Sequence, residues 1–200
     1  MEAQMISAGM VDITSIDSSI AVDMKYASAD NFLKTNFYQG FKKAYFQKDV
    51  AKKLFNAQSF LKEKHPSYSL LIYDAARPVR FQQLIWDAVK LPASEKTKYV
   101  SNPKNGSLHN FGAAVDLTII DENKNELDMG CTFDSIDPIA YPMLESKFLA
   151  EGLLNQSQVN NRELLREVMY KAGFYNIQTE WWHFNSCTRE EAVRKYKRIE

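Results

Sequence analysis

Ala113-Ala114-Val115-Asp116-Leu117-Thr118-Ile119-Ile120 is the stretch that decides the fold. It is short, apolar and rich in β-branched residues, so it reads as a buried strand. One residue breaks its character, the carboxylate of Asp116. Ser69 to Asp74 (SLLIYD) is a second run of the same kind, ended by Arg77-Pro78. Asp121 to Asn125 reads as a polar turn, with Glu126 to Met129 returning antiparallel. Tyr175 to Phe184 carries aromatic and β-branched residues and reads as a third strand.

Between these strands the apolar spacing turns helical. Over Tyr45 to Lys64, Phe46, Val50, Leu54, Phe55 and Leu61 recur near helical spacing, and His65-Pro66 ends the segment. Val79 to Lys90 reads as a helix. So does Asn161 to Ala172, with Asn160 or Asn161 as N-cap and Gly173 past its end. Thr188 and Glu191 form a capping-box pattern for a terminal helix. This order predicts an α+β fold, a small antiparallel sheet with flanking helices. No repeat, low-complexity tract or linker interrupts the chain, so residues 1–200 read as one domain.

The 200 residues are 45% hydrophobic and 12% aromatic, enough to build a sizeable core and to argue against disorder. Lys+Arg and Asp+Glu both number 25, so the formal net charge is zero. That argues against nucleic acid as the main partner, which demands a basic face. The two cysteines, Cys131 and Cys187, lack CxxC spacing and read as free or buried thiols rather than a bridge. No run approaches the roughly 18 apolar residues of a membrane span. Met1 to Met10 shows no basic region followed by an apolar core, hence no visible signal peptide. A trimmed leader would leave the same sequence, so periplasm and cytoplasm both stay open. Oligomeric state is not legible.

Three residue groups point to chemistry. Asp116, buried in a strand, needs a cation, a set of donors or a metal, because an unpaired buried carboxylate costs several kcal/mol, on the order of the charge-burial penalty. An arginine partner would serve equally well. His109 precedes Gly112, whose freedom would let the chain turn into the strand. Glu180-Trp181-Trp182-His183 sets an acid and an imidazole around two large aromatics, which exclude water and raise a carboxyl pKa toward the range of a general base. In a regular strand Glu180 and His183 would face opposite sides, so for the two to share a site the strand must bulge, twist or end there. Two histidines and an aspartate make a three-ligand zinc set, beside which a glutamate that is not a ligand acts as base. The HExxH arrangement is absent. Arg77, fixed at a strand end by Pro78, either stabilises charge developing on a substrate or neutralises an acid such as Asp74.

Taken together, these residues resemble the D-alanyl-D-alanine dipeptidase family, which includes the vancomycin-resistance dipeptidase. Ser107, His109, Gly112, Ala114 and Asp116 match its SxHxxGxAxD motif, and Glu180 to His183 match its EWWH motif. Arg77-Pro78 matches its arginine motif. Lys25-Tyr26-Ala27, Asp30-Asn31-Phe32, Met129-Gly130, Phe133-Asp134 and Asn161-Arg162 also fit. The similarity runs from about Asp23 to His183.

The resemblance implies one zinc ion per chain held by His109, Asp116 and His183. Glu180 would take the proton of the attacking water and pass it to the leaving amine, and Arg77 would stabilise the oxyanion. Tyr26 and Asp134 would contact the free amino terminus of D-Ala-D-Ala, and Ser107 would bind substrate. It also implies the small zinc-peptidase fold shared with muramoyl-peptide carboxypeptidases and the Hedgehog signalling domain, a bacterial source, and a role in peptidoglycan precursor turnover. Ala75-Ala76, Leu108 and Asn110-Phe111 depart from the resistance enzyme, and as expected pocket-lining neighbours they leave the exact substrate open. The competing readings are a DD- or LD-carboxypeptidase acting on muropeptides and a non-catalytic zinc-binding interaction module.

Overall fold

The computed structural model describes residues 1–97 and 100–200. In chain order its elements are α1 (Glu2–Ser7), β1 (Met10–Asp12), β2 (Ala21–Val22), β3 (Tyr45–Gln47), α2 (Lys48–Lys64), β4 (Ser69–Asp74), α3 (Val79–Ala88), α4 (Ala93–Lys96), β5 (Ala114–Ile120), α5 (Glu145–Ala150), α6 (Gln156–Lys171), β6 (Tyr175–Asn176), β7 (His183–Asn185) and α7 (Arg189–Lys195). Five strands form the main sheet in the order β2-β4-β5-β7-β6, and β1 pairs with β3 separately. The sheet is antiparallel apart from its first pair, β2 with β4, which is parallel. The fold is α+β.

β5 runs through the middle of the sheet, and all seven of its residues are buried. Successive side chains alternate between faces. Val115, Leu117 and Ile119 join the apolar cluster built with Leu54 and Leu61 of α2 and Leu165 and Val168 of α6. Each such buried aliphatic side chain contributes about 1.5–3 kcal/mol. Asp116 takes the other parity. It stands opposite Asp74 of β4 on one side and His183 of β7 on the other, so three strands meet at its level.

Four elements differ from the sequence expectation. Tyr45–Gln47 is a strand, because its aromatic residues pair with Met10–Asp12 and the backbone and side chain of Gln47 bond Gly112 O and Phe111 O, so the helix starts at Lys48. α6 starts five residues earlier than Asn161, at Gln156. Asn155 caps it through a reciprocal box with Gln158, two bonds of 2.9 Å, in a stretch too polar to show helical periodicity. Glu126 makes one antiparallel bridge to Ile120, and Leu127 N bonds Ile119 O, before the chain leaves the sheet. Tyr175 to Phe184 is two short strands with an irregular segment between them. The Thr188–Glu191 capping box forms as expected. Neither cysteine is in a disulfide. Among the described residues, no helix is long and apolar enough to cross a membrane.

Candidate metal centre and active site

His109 sits on a 3-10 turn, Leu108–Phe111, that leads into β5. Ser107 caps this turn: its Oγ accepts from His109 N at 3.3 Å, and its own N–H donates to Asn110 Oδ1 at 2.7 Å. Gly112 closes it at φ +64°, a left-handed conformation that glycine adopts without strain. A Cβ there would lie 2.7 Å from Met10 Cε, so the end of the Met10 side chain would have to move, and the left-handed backbone would be strained as well. Asn110 Nδ2 and the His109 carbonyl bond the Arg77 backbone, which stitches the turn to the segment after β4.

Two imidazoles converge on Asp116. His109 Nε2 lies 3.4 Å from Asp116 Oδ2, His183 Nδ1 lies 2.9 Å from Asp116 Oδ1, and the two imidazole nitrogens are 3.3 Å apart. Their ligand atoms all fall within 4.8 Å of one another, as a common ion requires. The outward nitrogens test whether a metal fits. His109 Nδ1 donates to the Ala75 carbonyl at 2.7 Å, and His183 Nε2 donates to Asn185 Oδ1 at 3.0 Å. The His109 proton is thereby placed away from Asp116 and its Nε2 keeps a lone pair, whereas His183 also donates to Asp116 through Nδ1, a proton that a metal would displace while Asn185 keeps the ring in place. Asp116 is almost fully buried. Burial pushes its pKa up, but the two imidazoles outweigh this and hold it well below the usual carboxylate range. Burial opposes a charged His183, yet Asp116 and Glu180 raise its pKa to about 9. Two nitrogens and a carboxylate that jointly favour positive charge fit zinc.

Glu180 lies in the irregular segment between β6 and β7, where the chain has left the sheet. That break solves the facing problem: Glu180 Oε2 comes to 3.9 Å from His183 Nδ1. Burial raises its pKa above the ordinary value, and the Asp116 charge adds to this against the pull of His183, His109 and Arg77. Trp181 and Trp182 are both buried, with rings edge-to-face at 5.4 Å, and Trp182 forms part of the cleft wall.

Arg77 does neutralise an acid. Its Nε and Nη2 both bond Asp74 Oδ2, its Nη1 donates to Gln82 Oε1 at 3.0 Å, and Asp74 also accepts from Tyr38 OH at 2.8 Å. The guanidinium still borders the cleft, with Nη2 3.8 Å from Asp116 and its carbon 5.1 Å from the Tyr26 ring centroid. The neutralising reading of Arg77 is therefore seen directly, and the side chain also stands at the cleft. Burial, reinforced by the Asp134 charge, lifts the Tyr26 phenol well above its ordinary pKa, so it is a donor at neutral pH. Asp134 sits at φ +59°, and its Oδ2 is buried without a hydrogen-bond partner. Burial pushes its carboxyl well up.

All eight side chains singled out from the sequence border one cleft of about 480 Å³. Of the departing neighbours only Leu108 borders it. Ala75, Ala76, Asn110 and Phe111 are buried beneath the site and support it rather than line it. The supporting groups Asp74, Gln82, Asn185 and the Ala75 carbonyl were not singled out as site residues. Asp74 had a visible signal, an acid three residues before Arg77. The others act through contacts that local sequence does not encode.

The family model described as D-ala-D-ala dipeptidase, Peptidase M15, matches residues 6–198. D-alanyl-D-alanine dipeptidase of Escherichia coli (strain K12) is 35% identical over 175 residues, covering 88% of this chain and 83% of the relative. D-alanyl-D-alanine dipeptidase of Enterococcus faecalis (strain ATCC 700802 / V583) is 31% identical over 178 residues, 81% and 83% of the two chains. A solved structure of VanYB in complex with D-Alanine-D-Alanine is 16% identical with a TM-score of 0.45, over 76% of each chain. The extent of the family match and the identity to the Escherichia coli enzyme establish that this chain belongs to the D-ala-D-ala dipeptidase family, the M15 peptidases.

Proposed function

We propose that the protein is a zinc-dependent dipeptidase that hydrolyses D-Ala-D-Ala, with His109, Asp116 and His183 holding one zinc ion. Peptidases of this family are generally zinc-dependent. The observation that carries the reading is the convergence of two correctly oriented imidazoles and a carboxylate beside a glutamate outside the ligand set. Bound zinc would supply Lewis acidity toward the peptide carbonyl and toward water.

The chain's own residues do the rest. Glu180, with its raised pKa, accepts the proton of the attacking water and returns it to the leaving amine. Arg77, held rigid by Asp74 and Gln82, has N–H groups to spare for charge that develops on the carbonyl oxygen. Asp134, whose buried Oδ2 has no partner, holds a proton in the free protein and ionises against the substrate ammonium, and Tyr26 borders the same end. Ser107 spends its oxygen on the turn, which leaves its hydroxyl proton for substrate. A carboxylate that demands a cation suits a free amine and disfavours an acylated one. Turnover of peptidoglycan precursors is the role this chemistry fits.

The test is a dipeptide panel on zinc-loaded protein, varying stereochemistry and N-acylation. Zinc-dependent cleavage of D-Ala-D-Ala over N-acetyl-D-Ala-D-Ala is expected. Cleavage of the blocked peptide alone would make the protein a carboxypeptidase. Glu180→Gln should keep zinc and lose turnover by about 100-fold or more, the scale of general-base catalysis. A fully active variant would exclude Glu180 as the base.

A further inference from the structure

We propose that Arg162 is the positioning residue for the Asp134 carboxylate. The proposal rests on the reading of Asp134 as the amine-recognition group and says what holds that group in place. Asp134 lies near the middle of an irregular loop whose stems are residues 129 and 139. One guanidinium bonds both: Arg162 Nε donates to Met129 O at 2.7 Å, and Nη2 donates to Ile139 O at 3.0 Å. Arg162 is only 1% exposed on α6. Its remaining end meets Glu145 at 3.3 Å, and Arg166 fixes that carboxylate with bonds of 2.8 and 2.7 Å.

The first stem is pinned along the same helix. Asn161 donates to Asp128 O and Gln158 to Asp128 Oδ2, both at 2.9 Å. Gly130, at φ +83°, presses so close that a Cβ would lie 2.3 Å from Leu154 Cδ2. Arg162 is the group on α6 that reaches both stems. This matters because the loop carries a costly residue. Asp134 has a left-handed backbone and an unsatisfied buried oxygen, a state that persists only when its surroundings over-determine it. A planar fork can bridge two carbonyls at fixed separation, and a lysine ammonium cannot reproduce that geometry.

The experiment uses the full zinc-loaded protein with Arg162→Lys, and with Glu145→Gln as a milder variant that loosens the guanidinium without removing it. KM and kcat per bound zinc are measured for D-Ala-D-Ala and for its N-acetyl form. KM for the free dipeptide should rise about 10- to 100-fold in Arg162→Lys, the effect of a small misplacement of a binding group. Glu145→Gln should shift it in the same direction by less. Zinc content and kcat per zinc should change little, and the preference for the free amine should collapse. In an Asp134→Ala background, Arg162→Lys should add almost nothing to KM, because the two act as a unit. Reduced zinc content or kcat with the amine preference intact would make Arg162 structural support only and overturn the proposal. If the parent enzyme itself shows no amine preference, the reading of Asp134 falls, and this inference with it.

Discussion

His183 donates its Nε2 proton to Oδ1 of Asn185, 3.0 Å away. The two residues lie two positions apart on β7 and therefore share a face of the sheet. The bond commits the ring, so that Nδ1 points to Asp116. Asn185→Leu keeps the shape and removes the acceptor. It should weaken zinc binding about 10- to 100-fold, the usual effect of losing a partner behind a ligating histidine. Chelator competition measures this, and unchanged affinity would show that Asn185 does not orient the ligand.

Asp116→Ala removes the only carboxylate of the proposed ligand set. Stoichiometric zinc and hydrolysis should vanish together, while circular dichroism stays native-like because the flanking strand residues are untouched. Metal analysis after dialysis reads the result. Retained zinc at parental affinity would move the metal centre elsewhere.

Asp74 supports the site from below and supports the fold as well. It is fully buried and is the acid that neutralises Arg77. Asp74→Ala strands a buried guanidinium and should cost about 3–5 kcal/mol. For a chain of this length that is a drop in melting temperature of roughly 10 °C. A thermal melt with less than a few degrees of change would mean that Arg77 finds another counter-charge.

Asp134 carries the opposite trade. Its folded pKa lies well above the ordinary aspartate value of 3.8, so the native state holds a proton that the unfolded chain has released. Stability is therefore lost as pH rises from about 3.8 toward the folded pKa, where the unfolded state binds fewer protons. Asp134→Asn lacks this titration and tolerates the left-handed backbone. Its melting temperature relative to the parent should climb from pH 4 to pH 8, while KM for the free dipeptide increases. A pH-independent difference between the two would contradict the burial of that carboxyl.

The cluster of His109, Asp116 and His183 was legible because each member breaks a local pattern: Asp116 in an apolar strand, His109 before a glycine turn, His183 after paired tryptophans. The two central strands were legible for the reverse reason, since runs as apolar as Ser69–Asp74 and Ala114–Ile120 have few other fates. The facing of Glu180 and His183 called for a bulge, twist or end in that strand, but strand propensity could not say which, because aromatic residues are as strand-prone within that segment as beside it. The β1–β3 pair was hidden too. Phe46 fits a helical stripe, and only its distant partner Val11 makes it a strand residue. Asn185 and the Ala75 carbonyl escaped notice because their roles depend on tertiary approach across 34 residues or on ring orientation.

The row Asp74–Asp116–His183 crosses three adjacent strands. A slip of one residue at either junction would turn one of these side chains to the opposite face. Catalytic turnover is thus a readout of strand registry. Partly misfolded preparations will lose specific activity while keeping much of their secondary structure, and peptide hydrolysis will score the correct pairing of the sheet more sharply than a spectroscopic average of its strands.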